Sequence, residues 1–264
     1  MKSMEPFYFG ASETQLLGCY HAPETTASRD CAVVFCQPMG HEYVQFHRAC
    51  RQLAILLARG GFPVLRFDFY GCGDSSGNCE NGRIPRWLDD IASAISEIRH
   101  RSAAAKICLV GLRLGGSLTA MVGAQRGDID GMVLWDPVVA GKLYIEELKH
   151  FHRQMLQRAH LRPGDRDSRT EIAGFVLTNE MISDLNDLDL LRLERKPANR
   201  ILVVDSRNSR QTDLIQHLES LNAMVKQIVL PNPQFWTWVE DFSHILVPHQ
   251  ILQAVLSWMS EVYA

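Results

Sequence analysis

Arg113 stands in Val110-Gly111-Leu112-Arg113-Leu114-Gly115-Gly116, with a glycine two residues to either side. An apolar run, Ile107-Cys108-Leu109, leads into it, and a small-residue helical pattern from Ser117 to Ala124 follows. A strand passing sharply into a helix has this pattern, because flanking glycines relieve crowding beside the apex. The apex side chain here is a guanidinium. It stays protonated at any working pH and offers only donors, so it cannot attack an acyl carbon. Two roles remain open. At the start of a helix, beside free N–H groups, it could hold a carboxylate or phosphate. Alternatively it pairs with an acid of the chain itself, since an unpaired buried charge is costly.

Other side chains could share in chemistry with it. His244, in Asp241-Phe242-Ser243-His244-Ile245, carries an imidazole suited to act as a base near neutral pH. Asp205 and Asp136 each end an apolar run (Ile201–Val204 and Met132–Trp135) and are candidate acids, or candidate partners for Arg113. His41 lies in the loop-like Gln37-Pro38-Met39-Gly40-His41-Glu42, where it could line a pocket or serve the turn. Trp236 sits among Phe235, Trp238 and Phe242 just before His244, as a pocket wall or as core. Cys36, Cys72 and Cys108 fall in or beside apolar runs and read as small buried hydrophobes. No His/Cys/Asp/Glu spacing suggests a metal site, and no dinucleotide fingerprint follows a first strand, so no cofactor is expected.

The elements that must position these residues alternate. A short leading hairpin (6–10 and 15–21) comes before buried strands at 31–36, 62–69, 106–110, 132–135, 200–205 and 225–230. Helical patterns at 44–59, 84–100, 117–124, 211–222 and 248–262 separate or follow them. Continuous apolar strands joined by helices imply a mostly parallel sheet with helices on both faces. Residues 141–198 interrupt the alternation. Leu143–His160 reads as a helix, 163–168 as a polar hinge, and Ile172–Leu193 as a second apolar-periodic run.

Composition narrows the class. The chain has 264 residues, 46% hydrophobic and 22% charged, enough for a sizeable core. A net charge of −3 argues against a nucleic-acid surface. No apolar run approaches the roughly eighteen residues of a membrane span. The first residues lack the apolar core of a secretory signal, and seven irregularly spaced cysteines fit a reducing compartment. The expected location is the cytoplasm.

Taken in order, Pro38-Met39-Gly40-His41-Glu42, Phe67-Asp68-Phe69-Tyr70-Gly71-Cys72-Gly73-Asp74-Ser75, Gly111-Leu112-Arg113-Leu114-Gly115 and His244 resemble the serine-aminopeptidase-like branch of the α/β-hydrolase superfamily. The elbow with Trp135-Asp136-Pro137-Val138-Val139 and Gly174-Phe175-Val176-Leu177-Thr178 also resembles hydrolases found with bacterial exosortase systems and biosynthetic clusters. The resemblance implies an α/β-hydrolase fold, with a core of 1–140 and 199–264 and a helical cap at 141–198. In that family a serine at the elbow attacks the acyl carbon, a histidine takes its proton and an acid orients the histidine. Arg113 occupies the serine's place. Carried over by position, the oxyanion donors are the backbone N–H groups of Met39 and Leu114, the base is His244 and the acid is Asp205 or Asp136. His41, Asp136 and Trp236 fall where substrate would bind. The implied substrate is an acyl, ester or thioester small molecule, carrier- or CoA-linked forms included. An acyl carrier protein is a candidate partner, and a homodimer a candidate assembly. Two readings follow: an enzyme with no covalent nucleophile, or a pseudo-hydrolase that binds a ligand or partner.

Overall fold

A computed structural model describes residues 4–25, 28–102, 104–158, 170–207, 211–231 and 247–264. Its centre is an eight-stranded sheet in the order β1-β2-β4-β3-β5-β6-β9-β10. The strands are β1 (Glu5–Phe9), β2 (Leu16–His21), β3 (Cys31–Cys36), β4 (Val64–Phe67), β5 (Lys106–Leu112), β6 (Gly131–Trp135), β9 (Arg200–Asp205) and β10 (Met224–Val229). β1 pairs antiparallel with β2, and β2 with β4; every other pairing is parallel. All six residues of β3 are buried, because helices cover both sides of a parallel sheet.

On one face, α1 (Gly40–Arg59) and α7 (His249–Val262) pack Phe46, Leu53, Ile251 and Val255 against Val33, Val110 and Trp135. On the other, α2 (Ile84–Ser102), α3 (Leu114–Arg126) and α6 (Thr212–Ser220) bury Ile91, Leu118 and Leu214. α2 turns Trp87, Ile91, Ala94, Ile95 and Ile98 inward at helical spacing, which is why it lies along the sheet.

Two of the element boundaries that differ from expectation bear on the site. α1 begins at Gly40 rather than near Val44, so His41 and Glu42 lie in its first turn instead of a loop. The short β4 ends where Asp68 leaves the strand to accept hydrogen bonds from Gln37 Nε2 at 3.2 Å and the Tyr43 hydroxyl at 2.8 Å.

Between β6 and β9 the chain makes α4 (Gly141–Arg158), β7 (Thr170–Ile172), β8 (Phe175–Leu177) and α5 (Asn179–Asp187), then a 3-10 turn at Leu190–Arg192. The run from Ile172 to Leu193 is therefore not one helical stretch. Ala173 and Gly174 both take positive φ, 52° and 85°, and close a two-residue hairpin in which Ile172 pairs with Phe175. Such a turn matches the twist of antiparallel strands, and it overrides the apolar periodicity around it. The expected hinge at 163–168 lies outside the described residues. The inserted segment shares one apolar core with the sheet, since Tyr144, Leu148, Met181, Leu185 and Leu190 pack with the α2–α3 side.

Candidate functional site

β5 delivers Arg113 at the carboxyl edge of the sheet, and its backbone takes φ 50°, ψ −123° before α3 begins. Non-glycine residues rarely adopt positive φ, and the surroundings hold this one in place. The Arg113 amide donates to the Trp135 carbonyl at 3.0 Å, while its own carbonyl accepts from Gly116 at 3.0 Å and Val138 at 3.3 Å. Gly115 lets α3 approach the end of β3, because a Cβ there would sit 2.5 Å from the Gln37 carbonyl oxygen.

The Arg113 side chain is only 4% exposed. Its Nε donates to Glu42 Oε1 at 2.8 Å, its Nη2 to Glu147 Oε2 at 2.7 Å and its Nη1 to the Asp136 carbonyl at 3.3 Å. The guanidinium also lies 5.2 Å from the centre of the Tyr144 ring, and the Tyr144 hydroxyl donates to Glu42 Oε2 at 2.7 Å. Glu147 reaches a second cation, Arg207, through its other oxygen. Burial by itself would favour a neutral guanidine. The charges of Glu42 and Glu147 outweigh it and hold the Arg113 pKa above its ordinary value. Glu147 answers in the other direction: burial would raise its carboxyl pKa, but Arg113 and Arg207 hold it below the usual range.

Asp136 and Asp205, the two acids suggested as partners for Arg113, do not supply the charge that neutralises it. Among the described residues the carboxylates in ion-pair contact with Arg113 belong to Glu42 and Glu147. Asp136 accepts from Arg113 at its backbone carbonyl; its fully buried carboxylate accepts from the Ser206 amide at 2.9 Å and from the Ser206 hydroxyl. It too has positive φ, 44°, and burial pushes its carboxyl up to about 6. Asp205 ends β9, also buried, and accepts from the Arg207 amide at 3.2 Å.

His41 stacks on Phe151 of α4, ring centres 4.0 Å apart and planes within 10°. Burial lowers its pKa, so the ring is neutral near pH 7. Met39 is the residue before α1, and Leu114 is the first residue of α3. Both N–H groups thus stand at helix N-termini, where no intrahelical carbonyl takes them. His244 and Trp236 lie outside the described residues.

Beside Met39 opens a cavity of about 360 Å³. Met39, Tyr43, Cys72, Trp87, Phe175 and Met181 line it, and none of the described residues in its walls carries an ionised side chain. It reaches from the start of α1 across the loop after β4 to the β8–α5 connection of the inserted segment.

Glu42, Tyr144, Glu147 and Arg207 were not singled out from the sequence. Glu42 carried one signal: a carboxylate next to the Met39 loop at what becomes the first turn of a helix, where the helix dipole favours negative charge. Tyr144 and Glu147 carried little, since residues three apart on an amphipathic helix mark a face without saying what lies opposite it.

Comparison with known proteins gives the family and the fold. Residues 27–203, about two thirds of the chain, match the family described as serine aminopeptidase, S33. No curated protein matches the sequence. Among solved structures, the chain is similar to Est1E from Butyrivibrio proteoclasticus with bound ferulic acid, at 16% identity and TM-score 0.69 over 97% of this chain and 98% of that one. It is also similar to an esterase from Pyrococcus furiosus, at 12% identity and TM-score 0.67 over 99% and 92%. Proline iminopeptidase from Mycobacterium smegmatis matches at 12% identity and TM-score 0.65, over 98% of both chains. At these identities the structural likeness establishes the α/β-hydrolase fold alone. No described helix is long and apolar enough to cross a membrane.

Proposed function

We propose that this chain, which belongs to the serine aminopeptidase S33 family of α/β-hydrolases, binds an acyl, ester or thioester small molecule and forms no acyl-enzyme at its elbow. The observation that carries this reading is the Arg113 cluster. The turn that presents the family's nucleophile here presents a buried guanidinium bonded to Glu42 and Glu147. A group that only donates hydrogen bonds cannot make a covalent acyl intermediate. The apolar cavity beside Met39 is the seat of the ligand's acyl portion. Its volume falls within the range of small-molecule sites, and the uncharged side chains among its described walls suit an uncharged group.

A second reading keeps turnover without a covalent step, with His244 activating water against a carbonyl held in that cavity. It is favoured by the placement of Met39 and Leu114, whose N–H groups stand at helix N-termini where an oxyanion would be stabilised. One experiment separates the two. Short acyl esters and acyl thioesters are offered to the wild type, Arg113→Ser and His244→Ala, each first checked for folding by circular dichroism. The binding reading expects saturable quenching of tryptophan fluorescence by these compounds and no turnover in the wild type. Wild-type turnover that His244→Ala abolishes would establish the second reading instead. Activity gained in Arg113→Ser would show that the donors and the base survive around a re-purposed apex.

A further inference from the structure

Arg113 and Arg207 converge on one carboxylate, and that carboxylate belongs to the inserted segment. Glu147 Oε2 takes Arg113 Nη2 at 2.7 Å, and Glu147 Oε1 takes Arg207. Two guanidiniums dividing the oxygens of one carboxylate is the geometry by which proteins recognise carboxylate ligands. The two acids around Arg113 differ in how they are held. Glu42 is 6% exposed at its side chain and is fixed from both sides, by Arg113 Nε and the Tyr144 hydroxyl. Glu147 is 37% exposed and Arg207 27% exposed, so this half of the cluster meets solvent. Glu42 is the permanent counter-ion; Glu147 is the accessible one.

We propose that Arg113 and Arg207 form a carboxylate-binding clamp that Glu147 occupies as an internal ligand, and that a small-molecule carboxylate binds by displacing it. α4 carries Glu147, and the same helix carries Phe151, which stacks on His41 of α1. Displacement therefore frees α4 from the elbow and from the end of β9, while Tyr144 on Glu42 and Phe151 on His41 still tie it to the start of α1. The clamp is separate from the apolar cavity and does not rest on the reading of that cavity, so a silent ester assay leaves it standing.

The test uses the full chain with butyrate as probe and butyramide, its uncharged counterpart, as control, followed by titration calorimetry at low salt. An occupied site lowers apparent affinity by the fraction of molecules in which it is open, so Glu147→Gln is expected to bind butyrate at least ~10-fold more tightly than the wild type. Butyramide should show no such gain, and adding Arg207→Gln to Glu147→Gln should remove it. Equal affinity in wild type and Glu147→Gln, or a gain that survives Arg207→Gln, overturns the clamp. Hydrogen exchange on the wild type gives a readout that needs no variant. High butyrate should speed exchange of the α4 amides around Glu147, while butyramide should not. Unchanged exchange there overturns the displacement.

Discussion

Removing the Arg113 guanidinium would leave Glu42, itself 4% exposed, as a buried carboxylate without its cation. Breaking a buried ion pair from one side costs about 3–5 kcal/mol, so Arg113→Ala is expected to lose stability on that scale in urea unfolding. Pairing it with Glu42→Gln should recover part of the loss, because the stranded charge is gone. A loss of less than about 1 kcal/mol in the single variant would mean that the cluster does not hold the elbow. Two of the buried groups that shape the acid side of the stability profile act with opposite signs. Burial raises Asp136 to about 6, above the unfolded value, so its contribution is present at low pH and is lost as pH rises through that window. Burial, helped by Arg66 and Arg51, lowers His21 to about 4, so its contribution is lost as pH falls from about 6.5. In the wild type the two slopes oppose each other between pH 4 and 6. Asp136→Asn removes one falling contribution, and its urea midpoint should climb with pH across that window more steeply than the wild type's. Parallel profiles would place the raised carboxyl elsewhere.

Among the elements, the junction of β5 with α3 leaves little room for change. Gly115 lies against the Gln37 carbonyl oxygen at the end of β3, where an added Cβ would sit 2.5 Å away. Backbone cannot swing aside as a long side chain can. Gly115→Ala is thus expected to cost about 1–3 kcal/mol and to displace Met39 from the position it holds relative to Leu114. Thermal unfolding and tryptophan fluorescence would check it; a wild-type melting temperature would show that the helix can move outward without loss. The inserted segment is anchored in a different manner. Arg83, just before α2, makes two bonds to Asp184 of α5, at 2.7 and 2.8 Å, and Arg113 holds α4 through Glu147.

At the scale of the whole molecule, those anchors and the shared apolar core join the insertion to the sheet. Tyr144, Met181 and Leu185 are buried together with Ile91 and Leu118 rather than in a core of their own. Unfolding is accordingly expected as one cooperative transition, with circular dichroism and tryptophan fluorescence coinciding in urea. A first transition confined to α4 and α5 by hydrogen exchange would show instead that the insertion opens as a unit. The cavity spans the same boundary, with Met39 and Trp87 from the core and Phe175 and Met181 from the insertion. Ligand size and the seating of the insertion are therefore coupled.

The sequence by itself determined the order of strands and helices, since continuous apolar runs and helical stripes record which faces are buried. It also determined the elbow: Gly111 and Gly115 mark a turn too tight for side chains, and Arg113 at its apex cannot itself carry an acyl group. The hairpin at Ala173-Gly174 was hidden because its short strands sit inside an apolar pattern that also fits a helix. Only the tertiary structure decided what Arg113 pairs with. Glu42 lies 71 residues before it and Glu147 lies 34 residues after it. No local spacing links three charges on three different elements. The choice of Glu42 and Glu147 over Asp136 and Asp205 depends on where α1 begins and how α4 lies across the sheet's edge. Those are packing outcomes, fixed by burial of the helices' apolar faces and not by the charged residues that they carry.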